Sequence, residues 1–112
     1  MEIEYSYFKK LDLKVGLVLS CEKIPKSRNL YKILIDCGES NPRQIISGIS
    51  KFYEPKDLIG HKIIILANLK PRKIMGLESN GIILAADINN EPLLIKLDEN
   101  KENIIPPGAK IR

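Results

Sequence analysis

The sequence predicts an all-β fold, a small closed barrel, on three observations. Short β-type runs recur along the 112-residue chain, each bounded by Gly, Pro, Asn or Asp. Helix signals are confined to two stretches of one or two turns, one of them between the third and fourth runs. No segment carries the period of a long helix. The barrel with this order of elements is the OB-fold, five-stranded with a short helix, here followed by a C-terminal β extension. An SH3-like barrel or a small sandwich uses the same ingredients and stays open at this point.

In chain order, residues 6–11 read as one helical turn capped by Ser6. Leu13, Val15, Leu17 and Leu19 alternate with Lys14, Gly16, Val18 and Ser20, a long half-buried strand in which Gly16 marks a bulge or bend. Residues 25–29 form a loop, 30–37 a second strand closed by Gly38, 39–42 a polar turn, and 43–49 a third strand ending near Gly48. Pro55 near a start and Gly60 after an end mark the short helix. The Ile-rich residues 61–67 are a fourth strand, 68–80 a long polar loop, and 81–86 a fifth strand. Asn89-Asn90 marks a turn, 93–97 a further strand, and Pro106-Pro107-Gly108 a late turn. No repeat or linker interrupts the chain. One domain over 1–112 is expected, with the barrel over about 8–88 and the extension over about 89–112.

Composition narrows the function classes. The chain has 18 Lys+Arg against 14 Asp+Glu, a formal net charge of +4. That balance permits a nucleic-acid partner without establishing one. No apolar stretch approaches the roughly 18 residues that span a bilayer. The N-terminus shows neither the basic nor the apolar region of a secretion signal, so a cytoplasmic chain without a membrane partner is expected. Cys21 and Cys37 lie 16 apart, each in an apolar run, and read as core thiols, with a disulfide the alternative. His61 reads as a solvent-facing strand residue. No nucleophile–base arrangement, phosphate loop or metal-ligand spacing is visible, so no enzyme activity and no cofactor are expected.

The charges are unevenly placed. Lys23, Lys26 and Arg28 gather at the first loop, Arg43 opens the third strand, and Lys70, Arg72 and Lys73 crowd the loop at 68–80. The first and fourth inter-strand loops flank the binding face of an OB barrel, and two of these clusters fall on them. Aromatics are only 5% with no Trp, too few for a ladder of base-stacking platforms. Phe8 and Phe52 read as anchors of local structure. Backbone and shape recognition of a folded RNA suits this composition better.

Five ordered blocks carry a resemblance. They are residues 8–16 (Phe-Lys-Lys-Leu-Asp-Leu-Lys-Val-Gly), 35–38 (Ile-Asp-Cys-Gly), 43–49 (Arg-Gln-Ile-Ile-Ser-Gly-Ile), 58–62 (Leu-Ile-Gly-His-Lys) and 68–81, beginning Asn-Leu-Lys-Pro-Arg-Lys. Together they resemble the tRNA-binding domain found at the C-terminus of methionyl-tRNA synthetases and as stand-alone tRNA-binding proteins. The resemblance implies an OB-fold, non-catalytic recognition of the outer corner of tRNA by shape, and assistance to an aminoacyl-tRNA synthetase, expected to be methionyl. It implies binding roles for Arg43, Asn68, Lys70, Lys73, Ser79 and Lys14, beside which Arg72 can neutralise a phosphate. Turn chemistry is the competing reading for Asn68 and Ser79. The first loop departs from the family pattern: at Ile24-Pro25-Lys26-Ser27-Arg28-Asn29-Leu30 only the Pro and the Leu are kept, with Lys26 and Arg28 supplying charge nearby.

One branch of the family is linked to protein export, so a chaperone for unfolded polypeptides is the alternative function. Homodimeric members build their subunit contact beyond the barrel. Here Leu93, Leu94, Ile95, Leu97, Ile104, Ile105 and Ile111 lie there, and a homodimer is expected, with packing against the barrel the alternative. The initiating Met and short lead favour a whole gene product over an excised domain.

Overall fold

The computed structural model describes all 112 residues. Helix α1 (Tyr5–Lys9) leads into β1 (Leu13–Lys23), the long strand around which the barrel is organised. β2 (Tyr31–Asp36), β3 (Arg43–Ser47), α2 (Pro55–Leu58) and β4 (Lys62–Leu66) follow. Then come β5 (Arg72–Ile74), β6 (Leu77–Ser79), β7 (Ile82–Ile83), β8 (Ala85–Ile88), β9 (Glu91–Leu94) and a 3-10 turn (Glu102–Ile104). The main sheet is antiparallel throughout, in the order β3-β2-β1-β4-β7. It curls into the nearly closed five-stranded barrel of the OB type, as the sequence predicts.

Core formation follows the period-two patterning of the strands. Ile33 and Ile35 on β2, Ile45 on β3, and Ile63 and Ile65 on β4 converge with Val18, Cys21 and Cys37. Both cysteines are free, and burial raises each thiol to a pKa of about 11, so neither is a thiolate at neutral pH. Leu58 of α2 closes one end of this core. Its helix starts as read from the sequence: Pro55 sits in the first turn and the Glu54 N–H donates to Asp57 Oδ2 at 2.9 Å, half of a capping box. Tyr31 is buried and donates from its hydroxyl to Tyr53 O at 2.7 Å. The Tyr53 hydroxyl accepts from Leu94 N at 3.0 Å. These tyrosines anchor the loop before α2, whereas Phe52, expected to do so, is exposed.

The phase of β1 differs from expectation. Gly16 and Val18 face the barrel interior, where Leu13, Val15, Leu17 and Leu19 were expected. A bulge does occur, but at Leu19: Val18 pairs with Ile35 and Ser20 with Leu34. The bulge leaves Leu19 45% exposed. Gly16 is needed for packing, because a Cβ there would stand 2.4 Å from Ile35 Cγ2. Val15 is buried yet outside the core cluster, and its backbone pairs with the C-terminal segment. Val15 N donates to Ala109 O, Gly108 N to Val15 O, and Ile111 N to Leu13 O. β2 pairs only from Leu17 onward, so the returning C-terminus takes the same edge of β1 below it.

Three further elements depart from the sequence reading. α1 begins at Tyr5 rather than with Ser6 as its cap, and no side chain caps its start. Residues 68–80 are not all loop: β5 and β6 form a hairpin within them. The expected fifth strand divides into β7 and β8, and the later strand runs over Glu91–Leu94.

Gly38 and Gly108 fix the docking of the C-terminus. Both have positive φ, 76° and 90°. A Cβ on Gly108 would stand 2.6 Å from Cys37 O, a backbone atom that cannot swing aside. Gly108→Ala is therefore expected to lower unfolding stability by at least about 2 kcal/mol, combining backbone strain with overpacking. Chemical denaturation of the two proteins checks this.

Candidate nucleic-acid interface

The interface is built on the gap in the barrel. β3 does not run as a paired strand against the segment after β6. Side chains and one backbone hydrogen bond bridge the two instead. The Arg43 guanidinium donates from Nη1 to Ala67 O at 2.9 Å and to Asn80 O at 3.0 Å, the two stems of the segment that carries the β5–β6 hairpin. Ser79 is buried, and its Oγ accepts from Ile46 N at 2.9 Å. Gln44 Nε2 donates to Glu78 O, and Asn80 N to Gln44 O. Asn68 joins the stem to α1: its Oδ1 accepts from Asp12 N at 2.9 Å, and its Nδ2 donates to Lys10 O at 2.7 Å.

Gln44 and Glu39 are the members of this clasp that the sequence reading missed. Glu39 receives Arg43 Nε at 3.1 Å and Nη2 at 2.6 Å, a two-pronged pair. Lys14 stands 3.5 Å from Asp12 and 3.7 Å from Glu39, with its side chain only 14% exposed. The hydrogen bond from Arg43 holds the Glu39 carboxyl below its ordinary range, and burial opposes this only in part. No motif marks Glu39, because its partner is one turn away around a reverse turn and its role appears only in three dimensions.

The nine residues picked from the sequence therefore fall into two groups. Lys14, Arg43, Asn68 and Ser79 have their polar atoms engaged inside the protein. Lys26, Arg28, Lys70, Arg72 and Lys73 are exposed and make no ion pair or side-chain hydrogen bond. The hairpin presents its two cations to opposite sides: Arg72 lies across from Ser79, and Lys73 across from Glu78. Arg72, Lys70, Leu69 and Ile82 line an open groove floored by Ser79 and Gly81.

The first loop is drawn tight by its own hydrogen bonds. Ser27 Oγ donates to Ile24 O at 2.6 Å and accepts from Leu30 N at 3.3 Å. Ser27 N also bonds Ile24 O, which closes a turn with Pro25 and Lys26 at its tip, Lys26 at φ 67°. This loop meets the hairpin: Ile24, Pro25 and Lys32 share a cleft with Leu77. The first loop and the hairpin thus adjoin.

No group of three or more His, Cys, Asp or Glu stands close enough to hold a metal ion. No helix is long and apolar enough to cross a membrane.

The fold and its loops define the class, an OB-type barrel with exposed cations on its first loop and on the β5–β6 segment. The family model described as "Putative tRNA binding domain" matches residues 13–109, and the chain belongs to that family. It is 51% identical over 105 residues to the methionine–tRNA ligase of Methanocella arvoryzae, an alignment covering 94% of this chain and 15% of that protein. The chain thus spans a small part of the synthetase relatives it matches, and it is related to their tRNA-binding domain. The crystal structure of a MetRS related protein from Pyrococcus horikoshii superposes with a TM-score of 0.87 at 36% identity, covering all of both chains. That of the chaperone CsaA from Bacillus anthracis gives 0.83 at 28% identity, again over all of both chains.

Acid stability reads out the clasp. Because Glu39 is held below its ordinary pKa of 4.5, its contribution is complete above the ordinary carboxylate range and is lost as pH falls through the lowered value. Glu39→Gln is expected to be less stable at neutral pH and to lose less on acidification than the parent. Denaturation midpoints followed from neutral to acid pH check both.

Proposed function

We propose that this chain binds tRNA without catalysing a reaction, through the five exposed cations of its two adjoining loops. The observation that carries this reading is the division of the charges. Lys26, Arg28, Lys70, Arg72 and Lys73 are open to phosphates, while Lys14, Arg43, Asn68 and Ser79 position the loops. A rigid basic face with few aromatics suits the outer corner of tRNA, read by shape. The whole chain, 1–112, works as one unit in the cytoplasm and raises the local concentration of tRNA for a synthetase, methionyl by its relatives. The unit is a homodimer. Leu94, Leu97, Ile105 and Ile111 are at least half-buried within the chain, but Leu93, Ile95 and Ile104 remain exposed, the last by 72%.

A second reading rests on a specific feature. Between α2, β4 and the C-terminal extension lies a groove whose apolar lining is Tyr53, Leu58, Ile63, Leu94, Ile95 and Leu97. A chaperone for unfolded polypeptides would use such a groove, and the structural neighbour from Bacillus anthracis is described as a chaperone.

Titration with whole tRNA and with single-stranded DNA at two salt concentrations tests the first reading. Preference for tRNA, with log K falling against log salt, is expected; no tRNA binding, or equal binding of both, would overturn it. Lys73→Ala is expected to weaken several tRNA species alike and to lower the salt slope by about one. A loss confined to one species would contradict shape reading. The mass in solution should be about twice 12.7 kDa.

A further inference from the structure

The chain builds the same tight turn twice. In the β8–β9 hairpin, Ile88 pairs with Glu91 across Asn89-Asn90, whose φ values are 51° and 69°. In the β5–β6 hairpin, Ile74 pairs with Leu77 across Met75-Gly76, whose φ values are 51° and 80°. Two positive φ values in a two-residue hairpin loop define a type I′ turn, whose first position favours Asn, Asp or Gly. Asn89 meets that requirement and Met75 breaks it. A flexible apolar residue held in the left-handed region lowers stability. Nothing inside the chain offsets this at Met75: its side chain is 54% exposed and takes no part in the core cluster.

The position of the turn gives the strain a use. Met75 is the tip of the basic arm, within five residues of Lys70, Arg72 and Lys73. Leu77 of the same hairpin lines the cleft shared with the first loop. The hairpin therefore projects one soft, apolar side chain from the middle of a phosphate-binding surface. We infer that Met75 is an RNA contact, packing its thioether on the face of a nucleobase that the RNA fold leaves unstacked at its surface. A base face is aromatic and polarisable, and a methionine sulfur makes favourable contacts with such rings. Every base offers a face, so the contact adds affinity without reading sequence. The surrounding cations hold the phosphates while Met75 fits the surface between them. The inference rests on the tRNA-binding reading and deepens it.

The test uses the full chain with two substitutions, each titrated with whole tRNA at two salt concentrations and melted thermally. Met75→Asn suits the turn and should melt higher than the parent. It should bind tRNA roughly 2- to 10-fold more weakly, the range of a sulfur–aromatic contact, with an unchanged salt slope. Met75→Leu keeps an apolar tip but lacks the sulfur, and should bind more weakly than the parent and more tightly than the Asn variant. An Asn variant that binds as the parent does would overturn the inference while leaving the tRNA-binding reading in place. A changed salt slope would overturn it too, since the loss would then come from displaced cations. A parent chain that fails to bind tRNA would overturn both.

Discussion

Four of the five N–H donors of Arg43 are satisfied inside the protein. Two meet the Glu39 carboxylate, and two meet the carbonyls of Ala67 and Asn80. The residue stands at the start of β3, facing the gap where a ladder of strand pairs would otherwise close the barrel. Those two carbonyls mark where the hairpin segment leaves the barrel and where it returns. One planar guanidinium therefore holds both stems through Nη1 and Glu39 through its other edge, which a lysine, with a single nitrogen, could not do. Removing it would leave the two carbonyls without this partner and the Glu39 carboxylate with Lys14 alone. Ser79 and Asn68 complete the clasp from either side, and the placement of Lys70, Arg72 and Lys73 depends on it.

The protein thus uses its positive charge in two ways. Lys14 and Arg43 are paired with Asp12 and Glu39 and contribute little field at a distance. Lys26, Arg28, Lys70, Arg72 and Lys73 carry no such partners and lie on two segments that meet at the cleft beside Leu77. The modest overall surplus of four charges conceals this separation. Burial of the clasp and exposure of the cations complement each other: ordering a loop in advance lowers the cost of any contact its side chains make.

Legibility from the sequence tracks how local each feature is. β2 could be read because its alternation, Tyr31, Ile33 and Ile35 inward, faces a single core. α2 could be read because Pro55 and Gly60 delimit it and Glu54–Asp57 caps it within four residues. The phase of β1 could not, since both of its faces carry apolar residues and Val15, off the core cluster, is buried as well. The β5–β6 hairpin was hidden because its turn carries Met75, which is no turn former. The family pattern marked Arg43, Asn68 and Ser79 as important. That they act through side-chain bonds to backbone across 24 to 58 residues left no periodic trace.

The division between clasp and contact is tested most directly by the salt dependence of tRNA binding for Arg43→Gln. If Arg43 positions the hairpin, affinity falls, the slope of log K against log salt keeps its parental value, and the amides of Ile46 and Asn80 exchange faster with solvent. If the slope instead drops by about one with those amides still protected, Arg43 contacts a phosphate itself and the account is wrong.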